Sequence, residues 1–142
     1  MSPSEGPHTR HDERSDAREQ AVMLLYEAEQ RETSALALME GRGVIAPDLT
    51  GQLLAGVESA SSAIDDLIVS QAKGWALDRM PALDRAILRL GVYELRERRD
   101  VPVAVAIDEA VELAKRFSTD DSGRFVNGVL AAVARLVRPD EQ

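Results

Sequence analysis

The sequence predicts an all-α protein built as two small three-helix bundles packed together. Apolar residues recur at three- and four-residue spacing through most of the chain, and no stretch alternates with period two over the length of a strand. The interruption Lys73-Gly74-Trp75, followed by a restart at Pro81, divides this pattern at a hinge near residues 73–80. The expected organisation is a mobile N-terminal arm over 1–13, an N-terminal helical subdomain over 14–76 and a C-terminal one over 77–137. The whole is read as one compact domain.

The arm holds Pro3, Gly6, Pro7, His8 and His11 but no apolar periodicity. Ala17, Ala21, Leu24, Leu25 and Ala28 then form an amphipathic stripe, with Asp12 or Ser15 as its cap. Ala35 to Met39 reads as a short helix stopped by Gly41 and Gly43. After Pro47, the stripe Leu49, Leu53, Val57, Ala60, Ile64, Leu67 and Gln71 predicts one long helix. In the second half, Leu83, Ile87, Leu88, Leu90, Val92, Tyr93 and Leu95 are apolar nearly all round, the mark of a central, buried helix. Pro102 suits a first turn, and Val103, Ala106, Ile107, Ala110, Leu113, Ala114 and Phe117 line the helix that follows. Ser118 to Asp121 supply a cap and first-turn acids, and Val126, Val129, Leu130, Val133, Leu136 and Val137 make the last stripe before Pro139. Within that stripe, Gly128 is expected to permit close helix packing.

The chain has 142 residues, enough to bury roughly 70% of its unfolded surface. It has no cysteine, hence no disulfide framework and no thiolate. No apolar run nears the roughly 18 residues of a membrane span, and the first residues carry no apolar signal core, which fits a cytoplasmic protein. Its net charge is −8, from 17 basic and 25 acidic side chains. That balance opposes sequence-independent nucleic-acid binding, which depends on neutralising phosphates. The charge is uneven: residues 1–77 carry net −7 and residues 78–142 net −1, so an anion-binding surface is more plausible on the second half.

Catalytic arrangements find little support. Both histidines lie in the arm, which leaves no His for a nucleophilic triad or for the Glu-x-x-His pairs of a di-iron bundle. Asp65-Asp66 and the group Asp108, Glu109 and Glu112 read as solvated faces, and the acidic turn at 120–123 lacks the twelfth-position Glu of a calcium loop. Neither an enzyme nor a cofactor or metal site is expected.

Lys115 to Gly128 is more informative. One helix ends in two cations, a polar turn follows, and the next helix opens with Arg124 and Phe125. Phe125 precedes the stripe by one residue, about 100° round the helix from it. A ring and a guanidinium beside a helix N-terminus suit single-stranded RNA. The alternative is that Phe125 packs in the groove between two helices.

The segments Val101-Pro102-Val103-Ala104-Val105-Ala106-Ile107-Asp108-Glu109-Ala110-Val111-Glu112-Leu113-Ala114-Lys115 and Phe125-Val126-Asn127-Gly128-Val129-Leu130 resemble the NusB family of transcription antitermination factors. The likeness extends to Asp84-Arg85-Ala86-Ile87-Leu88-Arg89, to Tyr93-Glu94-Leu95, and to Arg18-Glu19 followed by Leu25-Tyr26. It implies a non-enzymatic helical protein that pairs with small-subunit ribosomal protein ten, also called NusE. Together they would bind boxA RNA of nascent ribosomal transcripts, within the RNA polymerase antitermination complex. The resemblance places RNA contacts at Arg14, Arg18, Asp121, Arg124 and Phe125, with Arg10 and Lys115 nearby, and contacts to NusE at Tyr26 and Asp84. Where the family has consecutive arginines, this chain has Arg14-Ser15-Asp16-Ala17-Arg18, and residues 1–19 sum to −2. Weak RNA binding that depends on the basic partner is therefore expected. Other outcomes compatible with the sequence are a helical interaction module that has lost RNA contact, or an accessory domain of an rRNA-modifying enzyme.

Overall fold

The helical pattern is realised in a computed structural model that describes residues 12–43 and 48–141. His8, Arg10, His11 and Pro47 lie outside the described residues. Among the described residues, seven α-helices run in the order α1 (Glu13–Arg31), α2 (Ala35–Gly41), α3 (Asp48–Ser59), α4 (Ser61–Gln71), α5 (Ala82–Glu97), α6 (Val103–Phe117) and α7 (Asp120–Val137). Single 3₁₀ turns sit at Leu77–Arg79 and Pro139–Glu141.

Local chemistry sets the ends. The Ser15 N–H donates to the Asp12 carboxylate at 2.9 Å, which fixes the start of α1 at Glu13, one residue before the expected helical start at residue 14. Glu32 closes α1 in the left-handed region, with φ 55°. Ser34 caps α2, and Glu58 from α3 accepts from the Ala35 N–H at 2.7 Å, so one helix supplies another's missing acceptor.

The one long helix expected over 49–71 is instead two, broken at Ala60, whose ψ is 18°. The apolar stripe passes through this break without losing phase, but Ser59, Ser61 and Ser62 surround it with poor helix formers. The first half therefore contributes four helices rather than three.

Helix α5 is central. Ala86, Ile87, Leu88, Leu90, Val92 and Leu95 are buried, and α1, α3, α4, α6 and α7 all pack on it. Its neighbours approach closely where side chains are missing. A Cβ at Gly91 would lie 2.8 Å from Leu130 Cδ1 of α7, and one at Gly56 of α3 would lie 2.2 Å from the Tyr93 ring. Gly128, expected to serve that purpose, has open space where its Cβ would be. Two further stripe positions face outward: Phe117 is 38% and Leu136 56% exposed. Both lie at helix ends, and the Phe117 ring instead packs under the Arg116 guanidinium at 4.7 Å.

A helix enclosed in this way must satisfy its polar groups from its neighbours. Arg18 of α1 holds Glu94 through two hydrogen bonds, at 2.8 and 3.1 Å, and reaches Glu109 of α6 at 3.3 Å. Arg85 and Arg89 pair with Glu29 of α1, and Arg89 also with Asp65 of α4. Asp65 and Glu109 are thus partly buried ion-pair members rather than parts of a fully solvated face. The open carbonyls at the end of α5 meet Arg138, which is fully buried. Its guanidinium donates to the carbonyls of Glu94 (2.9 Å), Leu95 (2.8 Å), Arg98 (2.9 Å) and Val101 (2.6 Å). It also donates to Glu141 at 3.1 Å, and Glu141 in turn accepts from the Val103 N–H at the start of α6 at 2.9 Å. One side chain thereby joins three helix ends.

The Glu94 and Arg98 carbonyls also accept from the Arg98 and Val101 N–H groups, so replacing Arg138 by Met strips the donor chiefly from the Leu95 and Val101 carbonyls, and urea denaturation is expected to show a loss of about 3 kcal/mol. The hydrogen bonds from Arg85, opposed by partial burial and helped by Arg89, hold the Glu29 carboxyl below its ordinary value of 4.5. As pH falls through this range the unfolded chain takes up the proton first, so the contribution of Glu29 is present above the ordinary value and lost on acidification. The Glu29→Gln variant is expected to show a shallower decline in stability between about pH 5 and pH 3 than the parent protein, measured by urea melts at each pH.

Candidate RNA and partner surfaces

The α6–α7 turn is built by a short relay of hydroxyls. Thr119 caps α7, its Oγ1 accepting from the Ser122 N–H at 3.0 Å, and the Ser122 hydroxyl donates to Asp84 Oδ2 at 2.9 Å. This last bond ties the first turn of α7 to the first turn of α5. Ser118 Oγ lies 2.9 Å from the same hydroxyl. The turn is therefore fixed on its inner side, which leaves its outer side to present charged groups.

Those groups are the predicted ones in part. Lys115 is exposed, and its aliphatic stem lies over Gly123, where a Cβ would come within 3.0 Å of Lys115 Cγ. Arg124 and Asp121 are both well exposed and pair with each other across one turn of α7. Such an exposed pair contributes little to stability, so Arg124 can exchange its partner for a phosphate at small cost. Phe125 is half-buried, its ring centroid 5.8 Å from that of Trp75 with the planes tilted by 60°. Phe125 thus packs in a groove, and the groove is open.

Trp75 is the residue that sequence reasoning missed. It is 51% exposed in the segment between α4 and the 3₁₀ turn. The signal was present, since the chain's one tryptophan sits beside Gly74 in a break between helices, but nothing local connects it to a ring 50 residues later. Beside the two touching rings, and lined by both, lies a mostly apolar cavity of about 280 Å³, bounded also by Pro81, Asp84, Asp121 and Ser122.

The other predicted residues are dispersed. Arg14 is exposed on the first turn of α1. Ser15 beside it bonds Glu109, whereas Glu19 pairs with Arg116 seven residues further on, which places Arg14 roughly 10 Å or more from the turn along α6. Arg18 is 4% exposed and held by Glu94, so its guanidinium faces the interior and not a phosphate. Asp84 is 2% exposed and faces Ser122, which removes it from the surface on which a protein partner would find it. Tyr26 is 38% exposed on α1, one turn before Glu29, whose partner Arg85 adjoins Asp84 in sequence. Among the described residues no group of three or more acidic or histidine side chains is placed to hold a metal, and no helix is long and apolar enough to cross a membrane.

Comparison with known proteins accords with this architecture. The model of the NusB family matches residues 15–135. A protein of Saccharopolyspora erythraea described as transcription antitermination protein NusB is 56% identical over 130 residues, covering 87% of each chain. Among solved structures, NusB of T. maritima superposes with a TM-score of 0.83 at 34% identity, over 90% of this chain and 94% of that one. A complex described as antitermination factors NusB and NusE with double-stranded RNA contains a chain that matches with a TM-score of 0.77 at 27% identity, over 87% of this chain and 97% of that one. With its family model matched over most of its length, the chain belongs to the NusB family.

Proposed function

We infer that this protein is a non-enzymatic, RNA-binding transcription antitermination factor. It acts with the ribosomal protein NusE on boxA RNA of nascent ribosomal transcripts, in the cytoplasm and as part of an RNA polymerase antitermination complex. The observation that carries the reading is the α6–α7 turn. Two cations, a helix N-terminus and an open aromatic ring converge there on the NusB fold, and together they suit the backbone and bases of single-stranded RNA.

Within that reading Lys115, Arg124 and Phe125 form the central RNA contact, and Asp121 tunes Arg124 by competing for it. Arg14 offers an outlying phosphate contact. Arg18 acts as a positioning residue that joins α1 to α5 and α6, and Tyr26 is the exposed anchor for NusE. The net charge of −8 leaves little bulk attraction for RNA, so affinity depends on the basic ribosomal partner.

A filter-binding titration of boxA RNA tests this. The isolated protein is expected to bind weakly and the mixture with NusE much more tightly; nanomolar binding by the isolated protein at physiological salt would contradict partner dependence. Phe125→Ala is expected to weaken RNA binding by about 1–3 kcal/mol per folded molecule, the scale of one stacked base. By contrast, Arg18→Gln is expected to cost roughly 3–5 kcal/mol of stability by leaving Glu94 buried and unpaired. Its RNA affinity, measured on folded protein, should match that of the parent.

A further inference from the structure

The cavity lined by Trp75 and Phe125 holds one unusual feature. Asp84, which lines it, has both carboxyl oxygens buried. Oδ2 accepts from Ser122, whereas Oδ1 has no hydrogen-bond partner among the described residues. A buried acceptor without a donor is destabilising, so a ligand that brings a donor gains by supplying it.

The walls narrow the identity of that ligand. Two tilted aromatic rings favour a planar, polarisable group. Asp84 in the wall and Asp121 at the rim disfavour a phosphate or any other anion inside. At about 280 Å³ the space is at the small end of ligand sites, suited to one ring system rather than to a helix or an extended peptide. It adjoins Arg124 and Lys115, where an RNA backbone would pass.

We propose that this cavity receives one unpaired nucleobase of the bound RNA, stacked on Trp75 or Phe125, and that Asp84 Oδ1 reads it by accepting from an exocyclic amine on the base edge. Adenine, cytosine and guanine carry such an amine and uracil does not, so Asp84 is a specificity-determining residue and Trp75 a second stacking platform. This rests on the RNA-binding reading above and adds base discrimination to it. It also gives Asp84 a role toward RNA in place of one toward the protein partner.

Cytosine and uracil make the cleanest probe, because they are similar in size and differ in an amine against a carbonyl at one ring position and in an acceptor against an N–H at the next, so the exocyclic amine is the one edge donor that cytosine offers. Fluorescently labelled hexacytidylate and hexauridylate are titrated by anisotropy against the full chain with its ribosomal partner. The parent protein is expected to prefer hexacytidylate by about tenfold. Asp84→Asn keeps the shape and the bond to Ser122 but offers an amide, and is expected to bring the ratio near one. Trp75→Ala, at an exposed position that puts folding at little risk, is expected to weaken both oligonucleotides about fivefold or more without changing their ratio. Emission from Trp75, the one tryptophan, should be quenched by RNA.

A ratio that Asp84→Asn leaves unchanged, while Phe125-dependent RNA binding persists, overturns base reading and leaves the RNA-binding function standing. Quenching of Trp75 by the ribosomal partner alone, and not by RNA, makes the cavity a protein-docking site and likewise overturns the proposal. Absence of binding to any RNA overturns both readings.

Discussion

The constraint on which this fold depends is the enclosure of α5. A helix buried around most of its circumference can send few polar groups to water, so each must be met by another element. Asp84 at one end is met by Ser122 of α7, and Arg85 and Arg89 in the first half by Glu29 of α1 and Asp65 of α4. Glu94 near the other end is met by Arg18, and the terminal carbonyls by Arg138. Apolar burial supplies the driving force, but these ties decide which helix lies on which side of α5. They also explain why the two halves of the chain share one core. The residues that close the N-terminal helices onto α5 are the residues that satisfy it.

What could be foreseen from the sequence follows from the range of the physics involved. The helices α5, α6 and α7 were legible because a buried helical face leaves a periodic trace within a single segment. The break at Ala60 was not, because alanine is itself a good helix former and the stripe keeps its phase across the bend. Nor could spacing distinguish Gly91, pressed against Leu130, from Gly128, which faces open space; that depends on a neighbour far along the chain. Arg18 and Arg138 illustrate the same limit. Arg18 meets Glu94 at a separation of 76 residues and Arg138 meets the Leu95 carbonyl at 43, and an arginine in a sequence window carries no mark of being buried.

For the candidate site, chemistry that lies within one turn was readable and chemistry assembled from several segments was not. Lys115, Arg124 and Phe125 share a stretch of ten or so residues, and their arrangement at a helix start followed from capping alone. Trp75 and Asp84 join them only because the start of α5 and the segment before it fold back against the start of α7. The family likeness carried Arg18 and Asp84 as contact residues, and the packing of these particular side chains turns both inward.

The internal use of arginine has a consequence for how the protein responds to ionic strength. Arg18, Arg85, Arg89 and Arg138 are matched by acids or carbonyls inside the fold, so they displace no counterions when a nucleic acid arrives. At the α6–α7 turn the cations left to face a phosphate backbone are chiefly Lys115 and Arg124, and salt weakens association in proportion to the number of phosphates neutralised. On the proposed reading of this surface, selectivity for RNA would come from ring faces and base edges, which added salt screens little, rather than from a field that would attract any polyanion.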